Sequence, residues 1–158
     1  YILTMRGIPQ VLYGTEVLMS NKGTDSHGVI RSDFPGGWER DTVSVFEDTG
    51  LSMKQQEVLA WMKKLLQFRK NEPILHKGKL IHFIPYDGVY VYFRYIDSDC
   101  VMVIFNKKEE AVELNLNRFD SILKETSTFE NVISKDIIQS DGKRLIVSAR
   151  KVLILKKG

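Results

Sequence analysis

From Lys79 onward the chain is a succession of short runs rich in β-branched and aromatic residues, and this texture constrains the fold more than anything else in it. The runs are "KLIHFIP", "GVYVYFRYI", "CVMVIFN", "AVELNL", "TSTFENVIS", "RLIVSA" and "KVLILKK". Turn signals such as Asp87-Gly88, Asp97-Ser98-Asp99 and Asp141-Gly142 separate most of them. Such spacing predicts an antiparallel sandwich or barrel. Alternation is clearest where Val89, Val91 and Phe93 interleave with Tyr90, Tyr92 and Arg94. Cys100, the only cysteine, begins an apolar run that ends at Phe105. It is therefore a core residue, and a lone cysteine offers neither an internal disulfide nor a zinc-type ligand set.

Ahead of these runs lies one strong helical pattern. Ser52 followed by Gln55 is a capping box, in which hydroxyl and amide each satisfy a free backbone N–H. Val58, Trp61, Met62, Leu65, Leu66 and Phe68 recur at helical spacing. Pro73 stops the helix near Asn71.

The opening stretch "YILTMRGIPQVLYGTEVLM" reads as the last turns of a helix, stopped by Arg6-Gly7 and Pro9. An apolar run from Ile8 to Leu12 follows, with the look of a parallel strand buried on both faces and ended by Tyr13-Gly14. Such a strand needs neighbours that this chain does not offer, so the expectation is a fragment. Residues Ser20 to Gly50 form a long irregular stretch. Loops of that length are usually functional or disordered, and Phe34, Trp38 and Phe46 argue against disorder.

With 158 residues and 43% of them apolar, the chain can bury a real core. Twenty-three basic residues against 20 acidic ones give a net charge of +3, too small and dispersed for a nucleic-acid or membrane-surface partner. No stretch is long and apolar enough to span a bilayer. His27, His76 and His82 share no ligand spacing, so neither a metal site nor a cofactor is expected.

"RGIPQVLYGTEVLM" resembles the eighth barrel strand of the α-amylase superfamily of glycoside hydrolases, with Gly7, Pro9, Tyr13, Gly14 and Glu16 on the signature and Leu12 where many members carry a second Tyr. "LLQFRKNEPILHKGKL" resembles the final barrel helix and its exit. "VYVYFR" and "VMVIFN" resemble the opening strands of the all-β domain that follows the barrel. "IRSDFPGGW" is similar to the loop after strand eight in neopullulanase- and cyclomaltodextrinase-like members. The resemblance implies a mainly β chain, an antiparallel β-sandwich of Greek-key type preceded by the last strand and helix of a (β/α)8 barrel. It implies a barrel remnant over residues 1–75 and an all-β domain over 76–158.

It further implies a parent enzyme that cleaves α-glucosidic bonds of starch-derived glucans or cyclodextrins by the retaining route. The family's catalytic carboxylates lie on strands four, five and seven, so none is expected here: they belong upstream of Tyr1, and this chain alone is expected to be inactive. The expected substrate contacts are Arg31 and Asp25, for hydroxyls of a sugar away from the cleaved bond. Arg31 fits by its R-x-D-F-P context, whereas the spacing from Asp25 to Arg31 is longer than the pattern. Trp38 offers a ring for a sugar face, and Tyr13 lines the pocket floor. Phe34 anchors the loop, and Glu16 is expected to fix it through hydrogen bonds to backbone or an Arg. The expected partners are an α-glucan oligosaccharide, through the intact parent, and the rest of the barrel, or self-association in its absence. A second reading makes the β part a carbohydrate-binding or protein-interaction module, favoured by an exposed patch of Tyr86, Tyr90 and Tyr92 and disfavoured by their burial.

Overall fold

The capping box does what its spacing predicts: the Ser52 N–H donates to Gln55 Oε1 (3.0 Å), and the Gln55 N–H reaches Ser52 Oγ (3.4 Å). The computed structural model, which describes residues 1–21, 25–124 and 126–158, contains two compact units. One is Pro9–Lys64; the other joins Tyr1–Ile8 to Leu65–Gly158.

In the unit Pro9–Lys64, a 3-10 turn over Thr15–Val17 and a short helix α1 (His27–Ile30) precede the long helix α2 (Met53–Asn71), whose second part belongs to the other unit. Val17, Val45, Leu51 and Leu59 form a small core, with Met19, Phe34 and Val43 against it. Gln55 ties the start of α2 to the 3-10 turn, its amide donating to the Val17 carbonyl (2.9 Å).

The strand expected over Ile8–Tyr13 does not form. No backbone partner pairs with this run among the described residues, and Ile8 is 97% and Leu12 74% exposed. An apolar run becomes a strand only when other strands take its N–H and C=O groups. The expected helix end before it is a single turn, in which the Thr4 and Met5 N–H groups both donate to the Tyr1 carbonyl.

In the unit of Tyr1–Ile8 and Leu65–Gly158, α2 ends at Asn71 and a second helix, α3 (Pro73–Lys77), starts at once. Pro73 takes the first position, where a missing N–H costs nothing, and the buried Glu72 accepts from the Ile74 N–H. The strands are β1 (Lys79–His82), β2 (Val89–Ile96), β3 (Asp99–Asn106), β4 (Val112–Asn115), β5 (Thr128–Asn131), β6 (Ile137–Gln139), β7 (Arg144–Val147) and β8 (Val152–Lys157). A 3-10 turn, Leu116–Phe119, and a short helix α4 (Asp120–Leu123) lie between β4 and β5.

All pairings are antiparallel. Six strands make one sheet in the order β1-β2-β3-β8-β5-β6, and β4 pairs with β7 in a second. Residues of both sheets meet in one core: Val91, Phe93, Met102, Ile104, Phe129 and Leu155 from the larger, Leu114, Leu145 and Val147 from the smaller. The expected mainly β, antiparallel sandwich is therefore what forms.

Asp87 and Gly88 both adopt positive φ (47° and 74°), and Tyr86 and Val89 exchange two backbone hydrogen bonds across them. This is the two-residue turn that suits the twist of a hairpin. It joins β1 to β2, which pair antiparallel from Lys79 opposite Tyr95 to His82 opposite Tyr92.

Strand β3 is buried almost end to end, because both of its faces are covered. Cys100, Met102 and Ile104 enter the sandwich core, while α3 packs on the other side of β2 and β3. On that side the Tyr92 hydroxyl is buried in a hydrogen bond with Thr4 Oγ1, and burial pushes its pKa up to about 12. The Arg94 guanidinium donates to the carbonyls of Thr4 (3.1 Å) and Gly78 (2.9 Å). Arg69 donates to those of Leu3 (2.8 Å), Met5 (3.4 Å) and Gly7 (2.7 Å). Two arginines thus satisfy the carbonyls of the first residues, which have neither helix nor sheet to do so.

Candidate functional site

The loop carrying Arg31 is fastened on both sides of that residue. Asn21 Nδ2 donates to the Ile30 carbonyl (3.2 Å) and to Ser32 Oγ (3.1 Å), and the Tyr13 hydroxyl donates to the Ser32 carbonyl (3.1 Å). Arg31 itself is exposed, and its guanidinium has no hydrogen bond or ion pair among the described residues. A fixed backbone beneath an unengaged guanidinium fork is an arrangement suited to paired hydroxyls or a carboxylate.

Trp38 rides on a turn built around Asp41. The Asp41 carboxylate accepts the N–H groups of Gly36 (2.8 Å) and Trp38 (3.2 Å), and its own N–H returns to the Trp38 carbonyl (3.0 Å). Gly36 sits at φ 95°, where an added Cβ would come within 2.5 Å of Ser44 Oγ. The turn leaves the indole 66% exposed. Phe34 meets Phe46 edge to face at 5.8 Å and packs against the small core, the anchoring role expected of it.

Of the four expected contact residues, Tyr13 and Arg31 are linked through Ser32, and Trp38 is presented on its own turn. Asp25 is exposed and makes no bond among the described residues; Lys22, Gly23 and Thr24, part of the long loop ahead of it, lie outside them. Glu16 differs from expectation: its Oε2 is enclosed and has no partner among the described residues, so it makes no loop-fixing bond through that atom. Sequence reasoning missed Asn21, Ser32 and Asp41 as supports. Only Asp41 carried a signal, as an acid placed to cap the turn begun at Pro35-Gly36-Gly37.

The β unit offers a separate cleft of about 290 Å³, lined by Tyr86, Asp87, Val91, Glu113, Leu114 and Arg118 among others. Tyr86 is 75% exposed there. The Arg118 guanidinium lies 5.9 Å from the ring centres of Phe83 and Phe119 and donates to the Ile84 carbonyl (2.5 Å). Lys108 stands between Asp87 (3.0 Å) and Glu110 (2.9 Å), whose hydrogen bonds raise its pKa. Tyr86, Tyr90 and Tyr92 form no common exposed patch. Tyr92 is fully buried, and Tyr90 is half-buried against it and Phe105. Among the described residues no group of three or more His, Cys, Asp and Glu is placed to hold a metal ion.

Residues 80–156 match the family model of the cyclo-malto-dextrinase C-terminal domain. A cyclomaltodextrin glucanotransferase from Klebsiella oxytoca is 29% identical over 107 residues, 68% of this chain and 15% of that protein. An Anoxybacillus α-amylase shares the fold with a TM-score of 0.69 at 20% identity, over 100% of this chain and 30% of that one. An α-amylase from Geobacillus thermoleovorans, solved in complex with acarbose, gives a TM-score of 0.69 at 22% identity, over 99% of this chain and 31% of its own. The chain thus spans 15% to 31% of the length of these relatives.

Proposed function

We propose that this chain, which over residues 80–156 matches the model of the cyclo-malto-dextrinase C-terminal domain, is the C-terminal part of an α-amylase-family enzyme and serves a retaining glycoside hydrolase of starch-derived glucans or cyclodextrins. The domain match carries the reading. In it, residues 1–75 are the C-terminal remnant of a catalytic barrel, and 76–158 are an all-β domain that stabilises it. The nucleophile and the acid, two carboxyls about 5–5.5 Å apart in retaining enzymes, are supplied by polypeptide outside this chain. Asp41, the acid that builds the Trp38 turn, supports this division of labour, since its carboxylate already holds two backbone N–H groups.

Arg31 and Asp25 take hydroxyls of a sugar remote from the cleaved bond, Trp38 stacks on a sugar face, and Tyr13 lines the rim while holding the loop. The fastened backbone around Arg31 supports its part: the fork is positioned before substrate arrives, which lowers the ordering cost of binding. Incubated with maltoheptaose, this chain should release no reducing ends, whereas the product of a coding region extended upstream of Tyr1 should. Arg31→Ala in that product should lower kcat/KM about tenfold, the loss of one charge-assisted hydrogen bond. Turnover by the chain alone, or an upstream sequence without a barrel bearing an Asp, a Glu and a second Asp on its strand ends, would refute the reading. The exposed Tyr86 ring favours the second reading, a sugar-binding β module. Calorimetric titration with β-cyclodextrin separates the two: saturable heat that Tyr86→Ala abolishes belongs to the module, and no heat belongs to the stabiliser.

A further inference from the structure

One cleft in the unit of Tyr1–Ile8 and Leu65–Gly158 has a chemistry unrelated to glucan hydroxyls. It has a volume of about 540 Å³, and its walls carry Arg6, His76, Lys77, Lys79 and Arg94 without any Asp or Glu. None of these five side chains has an ion-pair partner among the described residues. Arg94 is only 1% exposed, and its Nε is enclosed without a hydrogen-bond partner. Folded proteins rarely leave a buried guanidinium with no anion and an idle donor. Its surroundings worsen the position: burial, then the nearby Arg69 and Arg6 guanidinia, lower the pKa of Arg94.

We propose that this cleft binds a phosphoryl group, carried by inorganic phosphate or by a sugar phosphate. Two guanidinia and two ammonium groups around one opening suit a multiply charged oxyanion better than a neutral sugar. The volume lies within the range of small-molecule sites, about 300–1,000 Å³, and leaves room for a hexose attached to the phosphate. Bound there, the anion offsets the mutual repulsion of Arg6, Arg69 and Arg94, the last two of which hold the backbone of the first residues. Occupancy therefore steadies the segment Tyr1–Ile8 against the sheet.

Calorimetric titration of the chain with sodium phosphate and with glucose 6-phosphate, at constant ionic strength set by sodium chloride, tests this. Saturable binding is expected, and the double variant Arg6→Ala/Lys79→Ala should raise the Kd about tenfold or more. Both residues are exposed, so the double variant should keep the wild-type melting temperature. Tighter binding of glucose 6-phosphate than of phosphate identifies a phosphorylated sugar as the occupant; equal binding identifies the free anion. No saturable heat with either ligand, or an unchanged Kd in the double variant, overturns the proposal.

Discussion

Asn106→Ala should be among the more damaging single substitutions in the β unit, although it removes only an amide. Asn106 ends β3 and is 4% exposed. Its Nδ2 donates to the carbonyls of Glu110 (2.9 Å), Val147 (3.2 Å) and Ser148 (2.9 Å), and its Oδ1 accepts the Lys108 N–H (2.9 Å). One side chain thus ties the end of a large-sheet strand to the loop before β4 and to the end of β7. Alanine fills less space and orphans these groups. Only the Val147 bond is fully buried, so that carbonyl bears a full desolvation penalty of about 1–3 kcal/mol, and the partly wet groups add less. The sum is about 2–4 kcal/mol, a large share of the 5–15 kcal/mol typical of a folded domain. With a urea m-value of about 2 kcal/mol/M, the midpoint followed by circular dichroism should fall by about 1–2 M. Asn117→Ala, an exposed control, should stay within about 0.5 kcal/mol of wild type.

Asn106→Asp sharpens the test. A carboxylate still accepts from Lys108 but faces three carbonyl oxygens, so its folded-state pKa rises above the unfolded value. The native state then binds more protons than the unfolded one between those values, and stability falls as pH rises through them. The Asp variant should therefore come closest to wild type in acid and lose ground toward neutrality. An Ala variant as stable as wild type, or an Asp variant whose stability rises over the same range, would refute the tie.

Ser52→Ala should cost about 1 kcal/mol by breaking the capping box, and Gln55→Ala more, because Gln55 also holds the Val17 carbonyl; urea melts read on the helical signal check both. Burial pushes the Cys100 thiol up to about 11 from 9.0, so the thiol should resist a disulfide reagent until urea unfolds the chain. A raised thiol pKa also means that the native state holds its proton longer, so this group lowers stability as pH climbs from 9.0 toward about 11. Rapid labelling under native conditions would contradict the burial.

What the sequence disclosed depended on whether a feature is local. Asp87-Gly88 names its turn because both residues tolerate positive φ, and Ser52-x-x-Gln55 names a helix start because both bonds close within one turn. Ile137–Gln139 went unread as a strand: three residues among Lys, Asp and Ser are too few to show alternation, and Ile137 is 61% exposed. The turn at Leu116–Phe119 starts on the last residue of the apparent strand "AVELNL", where Asn115 bends the chain by accepting the Asn117 N–H. Ile8–Leu12 failed in the opposite sense, since apolar character states what a strand would bury but not who will pair with it. The supports of Arg31 and the cationic cleft were invisible for a third reason. Residues 6, 76–79 and 94 share no motif and converge only once α3 and β2 are packed.

The position of β8 in the sheet also sets an order of events for any ribosome making this chain. Without β8, no strand pairing among the described residues joins β1-β2-β3 to β5-β6. The emerging polypeptide can close its first hairpins early, but the inner edges of β3 and β5 stay open until residues 152–157 clear the exit tunnel. Such edges invite pairing with a neighbouring chain, and β3, from Cys100 to Phe105, is the most apolar strand of the sheet. Slowed synthesis or a truncation before Val152 should therefore yield aggregates rather than a smaller soluble domain.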